Sequence, residues 1–420
     1  MLIRVKMDTF GANFTDSAHA MQVRTIAYYH WIFPAGGAET VTCNLGRFFE
    51  TQGLRQIIYT RKLVRELLTD ELQRRFDIRE LPESQSGATP KNTRYICASL
   101  QQEQVDILIA QGATDFPFQE IHNTCSTKIV YCLHNSPFWE VFDLKHQRAA
   151  DRPYLKPWQK LEFTLIRKPR YRLTNHLERR FTKFYIRLLQ NVDRFVTLCP
   201  AYRDDFKQRI LRSGLPGSES IPEHRFAAVF NPMLPAEEPV DTPKEKVVLY
   251  VGRFQRCHKR VDRLLKVWKI VERRIPEWKL IVVGDGDERA DLERQARQSG
   301  LQRIEFAGYR HDVATFYRRA TFVCLTSNFE GMPMCFTEGQ QYGCIPVSFD
   351  SFAGIHEITR NGACGIAVPA FHIRKYAAAL EAAMRNEELQ QRMRTVCHEA
   401  TQRYDLDNIG AEWLRLFKEL

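Results

Sequence analysis

The sequence predicts an α/β protein with two domains, each a parallel sheet covered by helices on both faces. Its 420 residues suit two domains of about 150–200 residues. Hydrophobic residues make up 44% and charged residues 26%, which is typical of globular proteins. Short apolar runs alternate with helical stretches, as in doubly wound sheets. We place the domains at 1–235 and 236–402, with an amphipathic terminal helix at 403–420.

The first domain begins with a predicted strand at 24–29, and residues 1–20 are expected to form a disordered extension before it. The strand leads to Gly36 and Gly37, which open a helix running to about residue 52. Such a glycine pair lets the backbone approach an anionic group closely, although a plain tight turn is the other interpretation. Further strands are predicted at 56–60, 105–110, 128–133, 194–198 and 226–230.

His134 follows the predicted strand 128–133 directly. A histidine in this place has two interpretations, a structural or merely exposed side chain and a ligand-binding one. The carboxyl ends of parallel strands are where open α/β sheets bind ligands. We therefore keep His134 as a candidate site residue.

The stretch at 140–190 is a basic insert in the first domain. Between Arg152 and Arg187 it carries eleven Lys or Arg residues against two acids, within a chain of net charge +11. One interpretation is a solvated helical hairpin. The other is contact with an anionic membrane through 152–187, with aromatic side chains at the lipid interface. Nucleic-acid binding is not favoured, because no RNA- or DNA-binding motif accompanies the charge. The interleaved aromatics are Tyr154, Trp158, Phe163, Tyr171, Phe181, Phe184 and Tyr185.

The second domain follows a proline-rich linker at 231–246. Its first strand, 247–252, ends at Arg253, and Lys259 begins the next amphipathic helix. Either residue could be surface decoration. Together, a cation at the strand end and one at the helix start can both point toward a diphosphate.

The stretch Gly284-Asp285-Gly286-Asp287 follows another predicted strand. It is not a convincing dinucleotide fingerprint, because Arg289 occupies the third glycine position. Asp285 and Asp287 could also be a metal-binding DxD pair, but a turn after a buried strand explains them better. We therefore expect no dehydrogenase and no metal site. The next strand and turn, at 303–309, face the same edge of the sheet.

Two glutamates flank a helix start later in this domain. A strand at 322–325 leads through a loop to Pro333 and a helix from Met334 to about residue 342. Glu330 and Glu338 lie on either side of the helix N-terminus, where free N–H groups and the helix dipole favour an anion such as phosphate. Two carboxylates beside a phosphate site predict a ligand with an anionic end and a hydroxyl-rich end. A nucleotide-sugar has that composition.

The spacing Glu330-x7-Glu338 and the following residues 340–347, QQYGCIPV, resemble retaining glycosyltransferases of family 4, which have the GT-B fold. The pattern Gly252-Arg253-x5-Lys259 is similar to the family's donor-phosphate pair, and residues 36–39, GGAE, are similar to its first glycine loop. The resemblance covers roughly 24–420 and is denser in the second domain. It implies two Rossmann-like doubly wound domains facing across a cleft, with the terminal helix crossing back to the first domain.

The resemblance also implies roles for individual residues. Glu330 would face the donor sugar, Glu338 would hold the ribose, and His134 would contact the reacting sugar. Arg253 and Lys259 would bind the diphosphate, with help from backbone amides after Pro333. The remaining donor-binding candidates are Met334, Cys335, Gly308 and Tyr309 near the nucleobase, and Gly36 and Gly37. Family members need no catalytic metal here.

The resulting hypothesis is a retaining, hexosyltransferase-like enzyme of the bacterial surface-polysaccharide type. It would use a UDP- or GDP-linked sugar, a glycan or lipid-linked acceptor, and no cofactor. Eleven cysteines without metal or disulfide spacing, no apolar run of about 18 residues and no secretory signal predict a cytoplasmic protein. Peripheral attachment to the inner face of the cell membrane stays open. The alternatives are a catalytically silent, membrane-associated GT-B scaffold and a nucleotide-sugar epimerase of related fold.

Overall fold

The computed structural model describes residues 23–147, 155–236 and 243–420. The predicted extension at 1–20 and the middle of the predicted linker lie outside these ranges. In the described chain the first sheet has seven parallel strands in the order β3-β2-β1-β4-β5-β6-β7. The strands are β1 Thr25–Phe33, β2 Arg55–Leu63, β3 Asp77–Glu80, β4 Ile107–Gln111, β5 Lys128–Leu133, β6 Arg194–Thr197 and β7 Phe226–Ala228.

Helices cover both faces of this sheet. The start of α3 is determined by local sequence. The Thr89 side chain caps the helix by accepting a hydrogen bond from the Asn92 amide, and Pro90 occupies its first turn. The helices of the first domain are α1 Gly37–Thr51, α2 Asp70–Arg75, α3 Pro90–Gln102, α4 Phe118–Thr124, α5 Trp139–His146, α6 Pro157–Glu162, α7 Lys168–Leu173, α8 His176–Gln190 and α9 Pro200–Leu211.

The second sheet has six parallel strands in the order β10-β9-β8-β11-β12-β13. Its strands are β8 Val247–Val251, β9 Lys279–Val283, β10 Ile304–Gly308, β11 Phe322–Leu325, β12 Ile345–Asp350 and β13 Ile366–Pro369. Its helices are α10 Val261–Val271, α11 Arg289–Gln298, α12 Ala314–Arg319, α13 Met334–Gln341, α14 Gly354–Ile358, α15 Ile373–Met384 and α16 Glu387–Thr401. Both sheets therefore confirm the predicted doubly wound α/β class.

The last helix, α17 Leu406–Lys418, packs on the first domain. Its Trp413 and Phe417 belong to the same buried cluster as Phe49 on α1. Gly410 lies against the ring of Phe48, at a point where a β-carbon would collide with that ring. The chain thus crosses between the domains twice, at 231–236 and at α17, and Met233 forms a parallel bridge with Asp405 where the two crossings meet.

Two sequence expectations differ from the structure. The edge strand β3 was not predicted, because its four residues Asp-Ile-Arg-Glu carry little apolar signal.

Most aromatics of the basic insert do not face solvent, which corrects the expectation of aromatics at a lipid interface. Phe163 and Tyr185 are fully buried, and Tyr171, Phe181 and Phe184 pack against the first domain's core. Trp158 alone among the described aromatics of that insert is strongly exposed.

In the part of the chain that the structure describes, no helix is both long and apolar enough to cross a membrane.

Candidate active site

The second sheet brings two loops together at the point where its strand order reverses. β8 and β11 are neighbours there, and their connections leave on opposite sides of the gap between them. The loop after β8 carries Arg253 and Lys259, and the loop after β11 carries Glu330. This switch point at the carboxyl ends of the strands is where open α/β sheets bind ligands.

Lys259 and Glu330 form a close ion pair across these two loops. The Lys259 Nζ lies 2.8 Å and 2.9 Å from the two carboxylate oxygens of Glu330. The Ser327 hydroxyl donates to Glu330 Oε1 at 2.6 Å, and His258 Nε2 lies 3.5 Å from Oε2. Glu330 is thus held by three side chains, of which the sequence predicted only Lys259.

The Glu330 carboxyl is buried, with 4% of the residue exposed. Burial by itself raises the pKa of this group, but Lys259 and then His258 outweigh burial and place the pKa well below its ordinary value. The carboxylate is therefore ionised at neutral pH. The site holds a negative charge and a positive charge within hydrogen-bond distance, both able to exchange their mutual contact for ligand groups.

The backbone between the two loops is fixed by further hydrogen bonds. The Asn328 amide N–H donates to the carbonyl of His258 at 2.8 Å, and the Asn328 side chain donates to the carbonyl of Cys257 at 2.7 Å. The ring of Phe329 stacks on the His258 imidazole with centroids 4.6 Å apart. These contacts hold Lys259 and Glu330 at a set distance before any ligand arrives.

The helix α13 begins immediately after this loop, with Pro333 as its N-cap residue. The first-turn amides, those of Met334 and Cys335 among them, lack intrahelical partners and point out of the helix end. The positive end of the helix therefore lies beside the Lys259–Glu330 pair. This arrangement can bind an anionic group of a ligand.

Glu338 lies eight residues beyond Glu330, in α13. Burial raises the pKa of its carboxyl, and the Tyr317 hydroxyl, which donates to Glu338 Oε2 at 2.9 Å, offsets part of this effect. Tyr317 was not predicted as a site residue. It keeps one carboxylate oxygen occupied and leaves the other available to hydroxyl groups of a ligand.

A cavity of about 620 Å³ opens between the two domains at this helix. Its volume lies in the usual range of small-molecule sites. The cavity reaches Met334 and Glu338 but not Glu330, whose carboxylate is covered by Lys259 and Ser327. It is lined by Thr40 and Asn44 of α1, by Asn231, Pro232, Met233, Leu234 and Pro235, by His311, Asp312, Val313, Ala314 and Tyr317, and by Met334, Thr337, Glu338, Gln341 and Tyr342.

The first domain touches the Glu330 loop directly. The Tyr202 hydroxyl donates a bifurcated hydrogen bond to the carbonyls of Glu330 and Gly331, at 2.8 Å and 3.1 Å. A β-carbon at Gly331 would lie 2.8 Å from the carbonyl oxygen of His134. The glycine is therefore required by a close approach of two backbones, and this approach brings His134 next to Glu330.

His134 itself is half-buried and its Nε2 is hydrogen-bonded to Gln111 Oε1. Burial, with a smaller contribution from His30, lowers its pKa to about 3, so the imidazole is neutral at physiological pH. On the other side of the first sheet's switch point, Gly36 has φ +143° and Gly37 begins α1. No side chain occupies the space within 4 Å of where a Gly37 β-carbon would be.

Three predicted residues lie outside the Lys259–Glu330 contact. Arg253 is exposed, and within the described residues its guanidinium makes no hydrogen bond or ion pair, so it is free to turn toward a ligand. Gly308 has φ +73° and its carbonyl accepts from the Gly284 amide. Tyr309 is 63% exposed and its ring packs edge-on against His311, which lines the cavity.

The residues after β9 form a turn. Asp285 accepts from the Gly286 amide at 2.8 Å and pairs with Arg289 at 3.1 Å. Among the residues that the structure describes, no group of three or more His, Cys, Asp or Glu side chains is arranged to hold a metal ion.

The sequence interpretation missed the supporting side chains His258, Ser327, Tyr202, Tyr317 and Gln111. His258 and Ser327 had a local signal, since each is a polar residue within three positions of a predicted site residue. Tyr202 and Gln111 had none, because their partners lie 128 and 23 positions away along the chain.

Two family models match this chain, one in each domain. The model described as "Glycosyltransferase Family 4" matches residues 35–213, and the model described as "Glycosyl transferases group 1" matches residues 236–396.

Curated relatives include AmsD, an amylovoran biosynthesis glycosyltransferase of Erwinia amylovora, which is 34% identical over 28% of this chain and 33% of its own length. A glycosyltransferase of Haemophilus influenzae is 25% identical over 53% of this chain and 60% of its own length. A Campylobacter jejuni N-acetylgalactosaminyltransferase that acts on an undecaprenol-linked glycan is 25% identical over 42% of this chain and 49% of its length. The chain thus spans between a third and 60% of these relatives.

Solved structures match over nearly the whole chain. Anabaena Alr3699/HepE in complex with UDP and glucose has a TM-score of 0.68 at 14% identity, covering 94% of this chain and 100% of the other. The lipopolysaccharide outer core galactosyltransferase WaaB in its apo form has a TM-score of 0.65 at 18% identity, with the same two coverages. These similarities show the fold. With a family model in each domain and this architecture, the chain belongs to the group 1 glycosyl transferases of the GT-B fold.

Proposed function

We propose that this protein is a retaining glycosyltransferase that moves a sugar from a nucleotide-sugar to a glycan or lipid-linked acceptor in the synthesis of a surface polysaccharide or lipopolysaccharide. The observation that carries the proposal is the ion pair of Lys259 with the buried Glu330 beside the N-terminus of α13, with Glu338 on the cavity wall. This site offers a cation and helix amides to a diphosphate and two carboxylates to hydroxyl groups.

In the proposed complex the diphosphate lies between Lys259, Arg253 and the amides of Met334 and Cys335. The ribose binds Glu338 in the cavity, and the nucleobase lies toward Gly308 and Tyr309. Glu330 exchanges its contact with Lys259 for hydroxyl groups of the sugar. Gly36 and Gly37 give the ligand access on the first domain's side of the cleft. No metal or cofactor has a role in this proposal.

The proposed reaction breaks the bond between the sugar's anomeric carbon and the diphosphate oxygen. The acceptor oxygen bonds to that carbon on the same face, which retains the configuration, and the leaving diphosphate takes the acceptor's proton. Lys259 and Arg253 stabilise the negative charge that grows on the leaving group. A well-placed donor of this kind contributes roughly 3–4 kcal/mol to the transition state.

Similar proteins support the choice of donor and acceptor. The Anabaena structures contain UDP or UDP-glucose, so we propose a uridine diphosphate sugar, with a GDP-sugar as the alternative. The Campylobacter relative extends an undecaprenol-linked glycan, and a Salmonella relative is a lipopolysaccharide galactosyltransferase. We therefore propose a lipid-linked glycan as the acceptor.

The donor class is tested by thermal stability of the purified protein against UDP-, GDP-, ADP- and CMP-sugars. A donor at about 100 times its dissociation constant adds roughly 2.7 kcal/mol to the free energy of unfolding. We expect a rise in Tm with the uridine compounds, and its loss in the variant Glu338→Ala, because the ribose contact is removed.

The control for this panel is Glu387→Ala, which removes an exposed glutamate in the first turn of α16, outside the cleft. No rise in Tm with any nucleotide-sugar would contradict the proposed donor site and favour a silent scaffold. Conversion of the donor sugar without any acceptor would favour an epimerase.

We also propose that the protein attaches peripherally to the inner, cytoplasmic face of an anionic membrane. The helical stretch 157–173, formed by α6, a π-helical turn at Phe163–Arg167 and α7, exposes five large apolar side chains. Their exposed fractions run from 61% to 84%, whereas the other exposed large apolar side chains of the described residues, such as Trp31 and Tyr309, are scattered along the chain. The five are Trp158, Leu161, Leu165, Ile166 and Leu173.

Cations accompany this exposed face. Lys160, Lys168, Arg170 and Arg172 lie on the same helical stretch, and Arg167 is already paired with Glu162 at 2.9 Å. Apolar side chains entering the acyl boundary and cations facing lipid headgroups are the pattern of an interfacial helix. A lipid-linked acceptor would be presented at such a surface.

Membrane attachment is tested by co-sedimentation with vesicles that contain anionic lipid. We expect binding at low salt, weaker binding at high salt, and loss of binding in the variant Leu165→Glu/Ile166→Glu. Lys168→Gln/Arg170→Gln should weaken binding, whereas the control Lys91→Gln/Arg94→Gln, on the exposed face of α3, should not. Equal sedimentation of all these variants, or none by the wild type, would contradict the proposal.

A further inference from the structure

A chain of five polar side chains crosses the first domain from the glycine loop to His134. His30 Nδ1 lies 3.3 Å from Glu39 Oε1, and His30 Nε2 lies 3.0 Å from Thr42 Oγ1. The amide nitrogen of Gln111 donates to the same Thr42 oxygen at 3.0 Å, and Gln111 Oε1 is hydrogen-bonded to His134 Nε2. The chain therefore passes through β1, α1 and β4 at the switch point of the first sheet.

The middle of this chain is closed to water. His30 and Thr42 are completely buried, and Gln111 is almost so. A buried polar group must find its hydrogen-bond partner within the protein, because the cost of leaving it unpaired is large. Thr42 and Gln111 therefore have to donate or accept in agreement with their two neighbours, whereas His30 Nδ1 makes no hydrogen bond with a described residue and meets Glu39 only as a close charged neighbour.

The Glu39 carboxylate sets the direction of the whole chain. The carboxylate lies 3.3 Å from His30 Nδ1 without a hydrogen bond, and its negative charge favours the tautomer of a neutral His30 that has the proton on Nδ1. His30 Nε2 is then a bare acceptor, and the Thr42 hydroxyl donates to it. The Thr42 oxygen in turn accepts from the amide nitrogen of Gln111, which turns the amide oxygen toward His134. Because that oxygen only accepts, the His134 proton is on Nε2.

The reverse direction requires a second proton on His30. If Gln111 presented its amide nitrogen to His134, its oxygen would accept from Thr42, and Thr42 would need a proton from His30 Nε2. A neutral His30 would then face the Glu39 carboxylate with a bare Nδ1, which places two acceptors together. The reversed chain is consistent only with a doubly protonated His30.

We propose that Glu39, His30, Thr42 and Gln111 are positioning residues that fix His134 as a single neutral tautomer, with the proton on Nε2 and a bare Nδ1. His134 then accepts a hydrogen bond from a hydroxyl group of the bound sugar and cannot donate one. This part rests on the proposed function, whereas the tautomers of His134 and His30 are properties of the free protein. The two histidines carry opposite neutral tautomers.

The chain also connects His134 to the glycine loop. A β-carbon at Gly36 would lie 2.4 Å from Glu39 Oε2, so the carboxylate folds back over this glycine. The Gly36 conformation, at φ +143°, is one that other residues rarely adopt. Glu39 therefore packs against the Gly36–Gly37 loop, which lies on the ligand's side of the cleft in the proposed function.

The tautomers are measured by long-range ¹H–¹⁵N correlation on ligand-free protein labelled at histidine nitrogens. His134→Gln and His30→Gln assign the two signals. At neutral pH we expect a protonated Nε2 and bare Nδ1 for His134, and the opposite pattern for His30. In Glu39→Gln the new amide can donate or accept, so His134 should become a mixture of both tautomers. A protonated Nδ1 on His134, a doubly protonated His30, or an unchanged His134 in Glu39→Gln would overturn the proposal.

Turnover is the second measurement, with the nucleotide-sugar that raises Tm in the panel above. Thr42→Val removes the central hydroxyl and should lower kcat by roughly fivefold to tenfold, the value of about one buried hydrogen bond. Thr42→Ser restores the hydroxyl and should stay within about twofold of the wild type. Thr51→Val, at the far end of the same helix and bonded to the Phe48 carbonyl away from the cavity, is the matched control.

The two proposals fail separately. If the two histidines have opposite tautomers in a protein that transfers no sugar, the proposed chain of polar side chains is supported and the proposed function is contradicted. Sugar transfer with equal rates for Thr42→Val and Thr42→Ser would contradict the chain and leave the proposed function standing.

Discussion

Replacing Lys259 by alanine is expected to lower kcat/KM for sugar transfer by about 10²–10³-fold, the usual loss when one preorganised donor to a developing negative charge is removed. Lys259 lies in the loop just before α10, and its ammonium contacts Glu330 beside the N-terminus of α13. No other lysine among the described residues pairs with Glu330. Steady-state rates with the donor found in the thermal panel measure the effect.

The same variant should also lose stability in a pH-dependent way. In the wild type the pKa of Glu330 is below its ordinary value, so the ionised group stabilises the fold at neutral pH and this contribution is lost on acidification. Without Lys259 the largest cause that lowers the pKa of Glu330 is lost, and burial is opposed mainly by His258, so the pKa rises relative to the wild type. The folded variant then binds more protons on acidification than the folded wild type, so its loss of stability shrinks as the pH falls.

We therefore expect the difference in Tm between the wild type and Lys259→Ala to be smaller near pH 5 than at pH 8, as a melting series across this range would measure. Lys266→Ala, an exposed lysine on the same helix, is the control and should change neither activity nor the pH profile. A near-normal rate for Lys259→Ala would contradict the proposed role of this residue.

The site residues that the sequence predicted share one property, which is that their signal is local. Glu330, Pro333 and Glu338 are recognisable because a strand, a loop and a helix follow one another within thirty residues, and the chain direction alone places them at the ligand-binding edge. Arg253 and Lys259 are recognisable for the same reason, because they follow β8, the other strand at the switch point.

The residues that the sequence did not predict depend on contacts between distant parts of the chain. Tyr202 lies in the first domain and acts on the backbone of Glu330 in the second. Gln111 ends a strand that the apolar pattern did place, but its partners, Thr42 and His134, come from two other elements. No periodicity in one segment carries such information, since it arises only when the domain is packed.

The basic insert illustrates a different limit. Its aromatics and cations suggested one amphipathic surface, yet α8 turns Tyr185 into the core while the stretch 157–173 leaves Trp158 and four aliphatic residues outside. The amino-acid composition of the insert does not distinguish buried from exposed aromatic side chains. Their burial depends on which helix of the insert packs on the first sheet, and short helices with mixed faces do not reveal this in sequence.

The largest separation between stability and activity is expected from the double variant Lys259→Met/Glu330→Gln. Removing one partner of a buried ion pair costs about 3–5 kcal/mol, because the other charge is left unpaired, whereas replacing both partners with uncharged groups of similar size is often neutral. Glu330→Gln alone should therefore lower the free energy of unfolding substantially. The double variant should return to within about 2 kcal/mol of the wild type, because the amide oxygen introduced by Glu330→Gln can still accept from the Ser327 hydroxyl.

Activity should not follow this recovery. The double variant has neither the cation that stabilises the leaving diphosphate nor the carboxylate that orients the sugar hydroxyls, so we expect transfer to be undetectable in a protein that melts like the wild type. Urea unfolding and steady-state rates on the same preparations measure the two quantities. If activity returned together with stability, the pair would serve the fold alone, and the chemistry would have to be sought elsewhere in the cleft. If stability did not return, the Lys259–Glu330 pair would contribute a net favourable energy to folding. The loss of activity in either single variant would then be attributed to misfolding.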